Sequence, residues 1–441
     1  MKLSPTLVAA ALLQGKAAAA SMAELRELKL ATWSAQSEAG VFDVDRYQAL
    51  ADTTACVNGK AGEYKCNNVD LVSFLRHQDM GSSTRKGNDV WGWTSSTGRE
   101  FGAVGQTDGT AFVEILADGS LKYWGRLPTQ TTSSSWRDMK VIGDFVYIGA
   151  ESSNHGLQIF DMKKLLTLTT AKTFSTSSDI TLYRGFGNSH NIVAHEETNM
   201  IYAVGTGTAA GCRGGLFMVD VSNPASPRTP GCLSAGGYVH DAQCVTYKGP
   251  DTRYTNREIC FNFNEDTLDI VDVTSKSSPV TLSSTSYNGV SYTHQGWLAD
   301  EQMRFLLLDD ELDEQNKKGV AANQRTTTYI VNIADLTKPV FTGTYQSPEK
   351  AIDHNQYVHK GLSYQANYGS GLRIIDVTSI PSDPTGKGIK EVGYFDCYPE
   401  DDSVGGKAEF TGTWSVYPFF KSGHILLNSI ERGIFVLKYT G

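Results

Sequence analysis

From about residue 70 onward the chain is a succession of short apolar runs broken by small polar residues, and no helical period persists. Runs such as Met200-Ile201-Tyr202-Ala203-Val204 and Glu258-Ile259-Cys260-Phe261-Asn262-Phe263 are rich in β-branched and aromatic residues, with Gly, Asn, Asp and Ser between them. That is the pattern of strands and turns. The runs also recur at one phase. A polar pair opens each unit: Asn88-Asp89, Arg137-Asp138, His190-Asn191, His240-Asp241, His294-Gln295, His354-Asn355 and Trp414-Ser415. A later run in the unit often ends on an acid, as in Leu157-Gln158-Ile159-Phe160-Asp161, Leu216-Phe217-Met218-Val219-Asp220 and Leu372-Arg373-Ile374-Ile375-Asp376. The second members of the pairs stand at 89, 138, 191, 241, 295, 355 and 415, a period near 50 that marks a repeat architecture.

Each unit holds three evident strands, and a fourth follows in runs such as Leu121-Lys122-Tyr123-Trp124-Gly125. The expectation is an all-β, seven-bladed β-propeller with four-stranded blades. The last unit lacks its fourth strand, and a spare run, Val69-Asp70-Leu71-Val72-Ser73-Phe74-Leu75, precedes the first unit. Closure of the ring by that N-terminal strand would cover the exposed edge. An open solenoid is the alternative, but no capping units are visible. The expected division is a signal peptide over 1–20, an N-terminal extension with a disulfide loop over 21–68, and the propeller over 69–441. The leader rests on Lys2, an apolar stretch and Ala17-Ala18-Ala19-Ala20-Ser21; a frayed amphipathic helix is the other reading. A weak helical pattern surrounds Ala23-Glu24-Leu25-Arg26-Glu27-Leu28.

A net charge of -9 argues against a nucleic-acid partner, which would want a basic face. No apolar stretch reads as a transmembrane helix. A secreted chain would oxidise its thiols, and there are seven cysteines. Sequence alone cannot choose among the roughly 15 pairings of six cysteines; strand adjacency in the expected fold suggests Cys212 with Cys232 and Cys244 with Cys260, while Cys56 and Cys66 would close a short N-terminal loop, leaving Cys397 over. No Cys-x-x-Cys pair suggests a cysteine metal site.

The stretches Gly187-Asn188-Ser189-His190-Asn191, His240-Asp241-Ala242-Gln243-Cys244, Asn264-Glu265-Asp266-Thr267-Leu268, Thr293-His294-Gln295-Gly296-Trp297-Leu298 and Leu308-Asp309-Asp310-Glu311-Leu312-Asp313-Glu314 resemble the choice-of-anchor B family. The run Leu372-Arg373-Ile374-Ile375-Asp376-Val377 looks like one of that family's LVIVD repeats. The resemblance spans about Cys56 to Tyr439 and implies an extracellular β-propeller of unassigned activity. Members carry varied C-terminal surface anchors, whereas Tyr439-Thr440-Gly441 shows none, so soluble secretion is expected.

Candidate chemistry lies at the polar pairs, which a propeller would gather at one channel mouth. Asn88, Asp89, Arg137, Asp138, Asn191, Asp241, Gln295, Asn355 and Trp414 are the candidate ligand contacts. Strand alternation would send only one member of each pair toward the axis. His190, His240, His294 and His354 could bind a divalent metal as neutral imidazoles; the more economical expectation is that they stitch neighbouring blades. Asp89, Asp138 and Asp241 could work as paired acid-base carboxylates with Arg137 as an anion clamp. The acidic run 309–314 could offer oxygens to Ca²⁺, but it lacks EF-hand spacing and reads better as a solvated turn paired with Lys317, Lys318 and Arg325. No cofactor is demanded by any motif; the candidate is a divalent metal, Zn²⁺ or Ca²⁺. Two function classes follow. The favoured one is a secreted, monomeric, non-enzymatic scaffold for an extracellular protein or polysaccharide, with aromatics near Trp91, Trp93 and Tyr417-Pro418-Phe419-Phe420 to suit a sugar. The other is a metal-dependent hydrolase or lyase working at the channel.

Overall fold

A computed structural model describes residues 19–50, 52–207 and 211–441. The expected leader over 1–20 lies outside the described residues apart from Ala19 and Ala20.

Seven antiparallel four-stranded blades follow one another along the chain, two of them extended at the outer edge by short extra strands. The first strand of each blade packs against the first strands of both neighbours, and the seventh meets the first, so the ring is closed. These inner strands are Gly87–Thr94, Arg137–Ile142, Asn191–His195, Asp241–Thr246, Thr293–Leu298, Asn355–His359 and Thr413–Tyr417. Every expected pair therefore sits at the start of an inner strand or one residue before it. The closing strand, Val69–Arg76, pairs with Gly433–Tyr439 as the outermost strand of the last blade.

The hydrophobic pattern follows depth within the blade. The second strand of blade 1, Glu100–Gln106, is buried at all seven positions because neighbouring blades cover both faces. The fourth strand of blade 4, Val280–Thr285, is mostly open to water and carries Thr and Ser. Between blades, rings interleave; Phe112 stacks on Phe160 at 4.5 Å between blades 1 and 2. The fourth strands are less legible because a bulge recurs where they pair with the third, at Phe112/Val113, Met218/Asp220, Ile270/Val271, Ile330/Val331 and Ile374/Ile375. Bulges deepen local twist. Opposite these kinks the next blade's turn presses on the backbone. A Cβ at Gly231 would meet the Lys276 carbonyl oxygen at 1.9 Å, and one at Gly343 the Thr385 oxygen at 2.3 Å, so glycine is required there.

All three expected disulfides form, Cys56–Cys66, Cys212–Cys232 and Cys244–Cys260. Cys244 and Cys260 face each other directly across the first two strands of blade 4. Cys397 is unbridged and buried, its thiol 3.0 Å from the Thr413 hydroxyl. The Cys56–Cys66 loop leads into a strand, Tyr64–Asn67, that pairs with the outer strand of blade 6 and covers its edge.

Among the described residues one α-helix precedes the ring, Met22–Glu38, opened by a capping box in which Ser21 and Glu24 bond each other's backbone. Its buried residues, Met22, Leu25, Lys29, Trp33 and Gln36, recur every three or four positions and form one stripe. That stripe lies across the end of the ring where the inner strands begin. No described helix is long and apolar enough to cross a membrane.

Candidate functional site

At the helix end the four histidines form an arc. Ring centroids are 4.1 Å apart for His190–His240, 4.1 Å for His240–His294 and 4.4 Å for His294–His354, and Trp414 follows His354 at 5.1 Å. All are at most 7 % exposed. Burial, the largest cause, and the nearby Lys29 charge hold all four imidazoles well below their usual range, so they are neutral. Regular alternation can fail at a strand start, and in blade 5 it does: a register shift between Thr293 and Gln295 leaves His294 as an extra residue.

The polar partners stitch the ring. Asp89 accepts from the Met139 amide of blade 2, and Asp138 from the Ile192 amide of blade 3. Asn191 donates to the His240 carbonyl, Gln295 bonds both backbone groups of Gln356, and Asn355 donates to the Trp414 carbonyl. Asp241 turns to its neighbour Ala242, so His240 and Gln243 make the seam to blade 5. Ser415 is the short equivalent in blade 7, and Asn428 reaches Asn88, Asp89 and Gly105 from the adjoining strand. Each bond satisfies a backbone group that a closed ring would otherwise bury unpaired.

The helix reads a column of acids, of which only Glu311, within the acidic run 309–314, stood among the candidate ligands. Glu151, Glu265, Glu311 and Glu431 each follow the second strand of their blade. Arg26 pairs with Glu151, the Met22 amide donates to Glu265, Lys29 lies 2.6 Å from Glu311, and Gln36 donates to Glu431. Trp33 packs between Trp136 and Trp414 and donates to the Phe410 carbonyl. Trp414 is thus covered by the helix. The acidic run is not the solvated turn expected: Asp309, Asp310, Glu311, Asp313 and Glu314 are at most 1 % exposed. Asp310 accepts from the Ser291, Tyr292 and Leu312 amides, Asp313 from Tyr329 and Glu314 from the Thr327 amide. Among the described residues no ion pair joins Lys317, Lys318 or Arg325 to them; the lysine paired within the run is Lys29, on Glu311, far upstream in the chain.

Deeper in the channel Lys140 binds Asp138 at 3.0 Å and Asp89 at 3.3 Å and stands 4.7 Å above the Trp91 ring. Burial drives the Asp138 carboxyl well above the usual range, with the Asp89 charge adding to it. Burial also pushes Asp89 upward, but Lys140 and hydrogen bonds outweigh it and hold that carboxyl low. Arg137 does not clamp this pair; it lies between blades, bonding the Gln106 carbonyl and His155. Asn88 likewise donates to the Ser135 carbonyl.

At the end away from the helix the channel opens into a cavity of about 230 Å³, walled by Trp91, Trp297 and Tyr357 and floored by Lys140, Asp241, Gln243 and Gln295. Tyr357 contacts Trp91 at 5.4 Å and Trp297 at 5.1 Å, both edge-on. Of the nine candidate ligand contacts, Asp241 and Gln295 line this cavity. Trp297 and Tyr357 stand two residues beyond their polar pair, a position strand alternation places on the same face. Trp93 and Phe420 belong to the core instead. A wider groove of about 640 Å³ meets the cavity at Gln243 and runs past Asp300, Gln302, Arg304 and Lys360.

Burial pushes Asp241 up to about 7. Between its unfolded value near 3.8 and about 7, the native state keeps a proton the unfolded chain has lost, so this contribution to stability is present in acid and fades as pH rises. Asp241→Asn is expected to remove that slope. Thermal melts of variant and wild type from pH 4 to 8 should diverge by roughly 2 kcal/mol or more, the variant gaining toward neutrality; parallel curves would refute it.

The LVIVD repeat family matches residues 210–231. No curated protein matches the chain. Among solved structures, the β-propeller domain of Cps50 (Swd1) from Myceliophteria thermophila is similar at 11% identity, over 81% of this chain and 97% of that one, with a TM-score of 0.47. A functionally unknown protein from Desulfotomaculum acetoxidans is similar at 12% identity, over 69% and 88%, with a TM-score of 0.45. A chain of the Mitotic Checkpoint Complex is similar at 10% identity, over 98% and 99%, with a TM-score of 0.47. An LVIVD repeat set in seven four-stranded blades fits an LVIVD-repeat propeller.

Proposed function

We propose that this protein is a secreted, non-enzymatic binding scaffold of the choice-of-anchor B type, taking an extracellular carbohydrate at the channel end opposite the helix. The observation that carries the reading is the cavity bounded by Trp91, Trp297 and Tyr357 over Lys140, Asp241 and Gln295. Sugar rings offer apolar C–H faces to aromatic walls and hydroxyls to amides and carboxylates, and a mostly apolar cleft with a few convergent polar groups is the usual form of a ligand site. The cavity is below the roughly 300–1,000 Å³ of drug-sized pockets, which suits one terminal ring, and the groove beyond Gln243 would carry the rest of a chain. Three disulfides support an extracellular setting. A propeller of rigid blades supports an interaction role, and the buried carboxylates Asp89 and Asp138 already hold backbone seams, which leaves them little freedom for acid-base work.

The test is a glycan array of plant, fungal and bacterial polysaccharide oligomers, followed by calorimetry on any hit. Trp297→Ala should weaken binding at least about tenfold, as loss of a central aromatic anchor does, with the melting transition kept. No binding by the wild type, or binding indifferent to Trp297, would defeat the proposal. Cleavage of a bound oligomer would assign the site to the hydrolase class.

A further inference from the structure

Beneath the helix, three donor atoms meet that no contact described so far uses. Glu311 divides its carboxylate: Oε1 accepts from the Tyr368 hydroxyl at 2.6 Å and faces Lys29 Nζ at 2.6 Å, while Oε2 has no hydrogen-bond partner. His294 Nε2 lies 3.4 Å from that free oxygen, and neither nitrogen of its ring is bonded. His240 Nδ1 bonds the His294 carbonyl at 2.9 Å. A carbonyl only accepts, so Nδ1 carries the proton and His240 Nε2 keeps a bare lone pair, also unpartnered. One donor atom from each residue lies within 4.8 Å of the others, and all three residues are at most 1 % exposed.

Buried polar atoms of a native protein are nearly always bonded, and a convergent set of orphans calls for an explanation. Two imidazoles and one carboxylate are the donor set of three-ligand zinc sites that keep a fourth position open. Imidazole donors favour transition metals over Ca²⁺ or Mg²⁺. The carbonyl behind His240 and the two groups on Glu311 Oε1 are the outer contacts that fix such ligands in place. Lys29, however, puts a positive charge on the same carboxylate, and like charges repel strongly where water is excluded.

We infer that His240, His294 and Glu311 form a divalent transition-metal site, suited to Zn²⁺, and that Lys29 of the N-terminal helix governs its occupancy by competing for Glu311. The site lies at the opposite end of the channel from the carbohydrate cavity and does not depend on that reading.

The full-length chain is titrated with Co²⁺, followed by its visible absorption, and then with Zn²⁺ in competition. Lys29→Met should bind one metal per chain at least tenfold more tightly than wild type, and the added His294→Ala should abolish it. If Lys29→Met does not fold, Lys29→Gln, which keeps a polar head, takes its place. A folded Lys29 variant without saturable metal binding, or binding that survives His294→Ala, would overturn the site. Equal affinity in wild type and Lys29 variant would overturn the competition.

Discussion

Glu311→Ala should weaken docking of the N-terminal helix by about 3–5 kcal/mol, the cost of stranding one member of a buried ion pair. Lys29 and Glu311 are both fully buried and 2.6 Å apart, with Trp414, Tyr368 and Phe410 around the ammonium. With the carboxylate gone the buried ammonium loses its direct counter-ion, and near neutral pH the helix relieves it by leaving the ring. Amide exchange along Met22–Glu38 should therefore accelerate more than a hundredfold while the blades stay protected. The effect has a sign in pH. Burial lowers the Lys29 pKa, and Glu311 opposes that shift in the wild type. In the variant the native amine is neutral over a range where the unfolded chain still binds a proton, so docking recovers as pH rises toward the ordinary lysine value of 10.5. Replacing the pair together, Lys29→Met with Glu311→Leu, should restore docking, because apolar side chains of similar volume replace buried pairs without loss. Helix exchange unchanged in Glu311→Ala would show that the pair does not hold the helix.

Asn428→Ala should cost about 2–3 kcal/mol, and its effect should be global. The side-chain amide, fully buried, is the donor to the Asn88, Asp89 and Gly105 carbonyls that join the last blade to the first. Truncation leaves buried acceptors without a donor, which costs more than the bond itself contributed. Asn428→Asp should be worse than Ala, since a carboxylate would face the same carbonyls with no proton to give. Urea denaturation gives the order directly: wild type, then Ala, then Asp. An Asp variant as stable as wild type would mean the seam does not rest on this amide.

Much of the ring was legible because every blade needs the same seam. The position that opens each inner strand must supply a polar side chain to the next blade, so Asp89, Asp138, Asn191, Gln295 and Asn355 repeat in phase and expose the period. The disulfides were legible for a related reason, since strand order places Cys244 opposite Cys260. What pattern reading missed are partnerships between distant parts of the chain. Residues 309–314 look like a water-facing turn until Lys29 and the Ser291 and Tyr292 amides arrive from elsewhere. The helix stripe is hard to see because its central residue is a lysine. Trp297 and Tyr357 are legible in principle, since alternation from Gln295 and Asn355 points to them.

The closing strand has a consequence for how this chain comes to be folded. Val69–Arg76 emerges before any blade, whereas its partner, Gly433–Tyr439, follows only after six blades have been made. Pairing across so long a separation is slow, because the intervening loop must be closed before any bond is gained. The early segment must therefore wait with an unpaired strand edge while six blades form, a period of exposure to aggregation. Once joined, the same pairing ties the first strand of the ring to its last blade, and the ring cannot open at that blade without first undoing it.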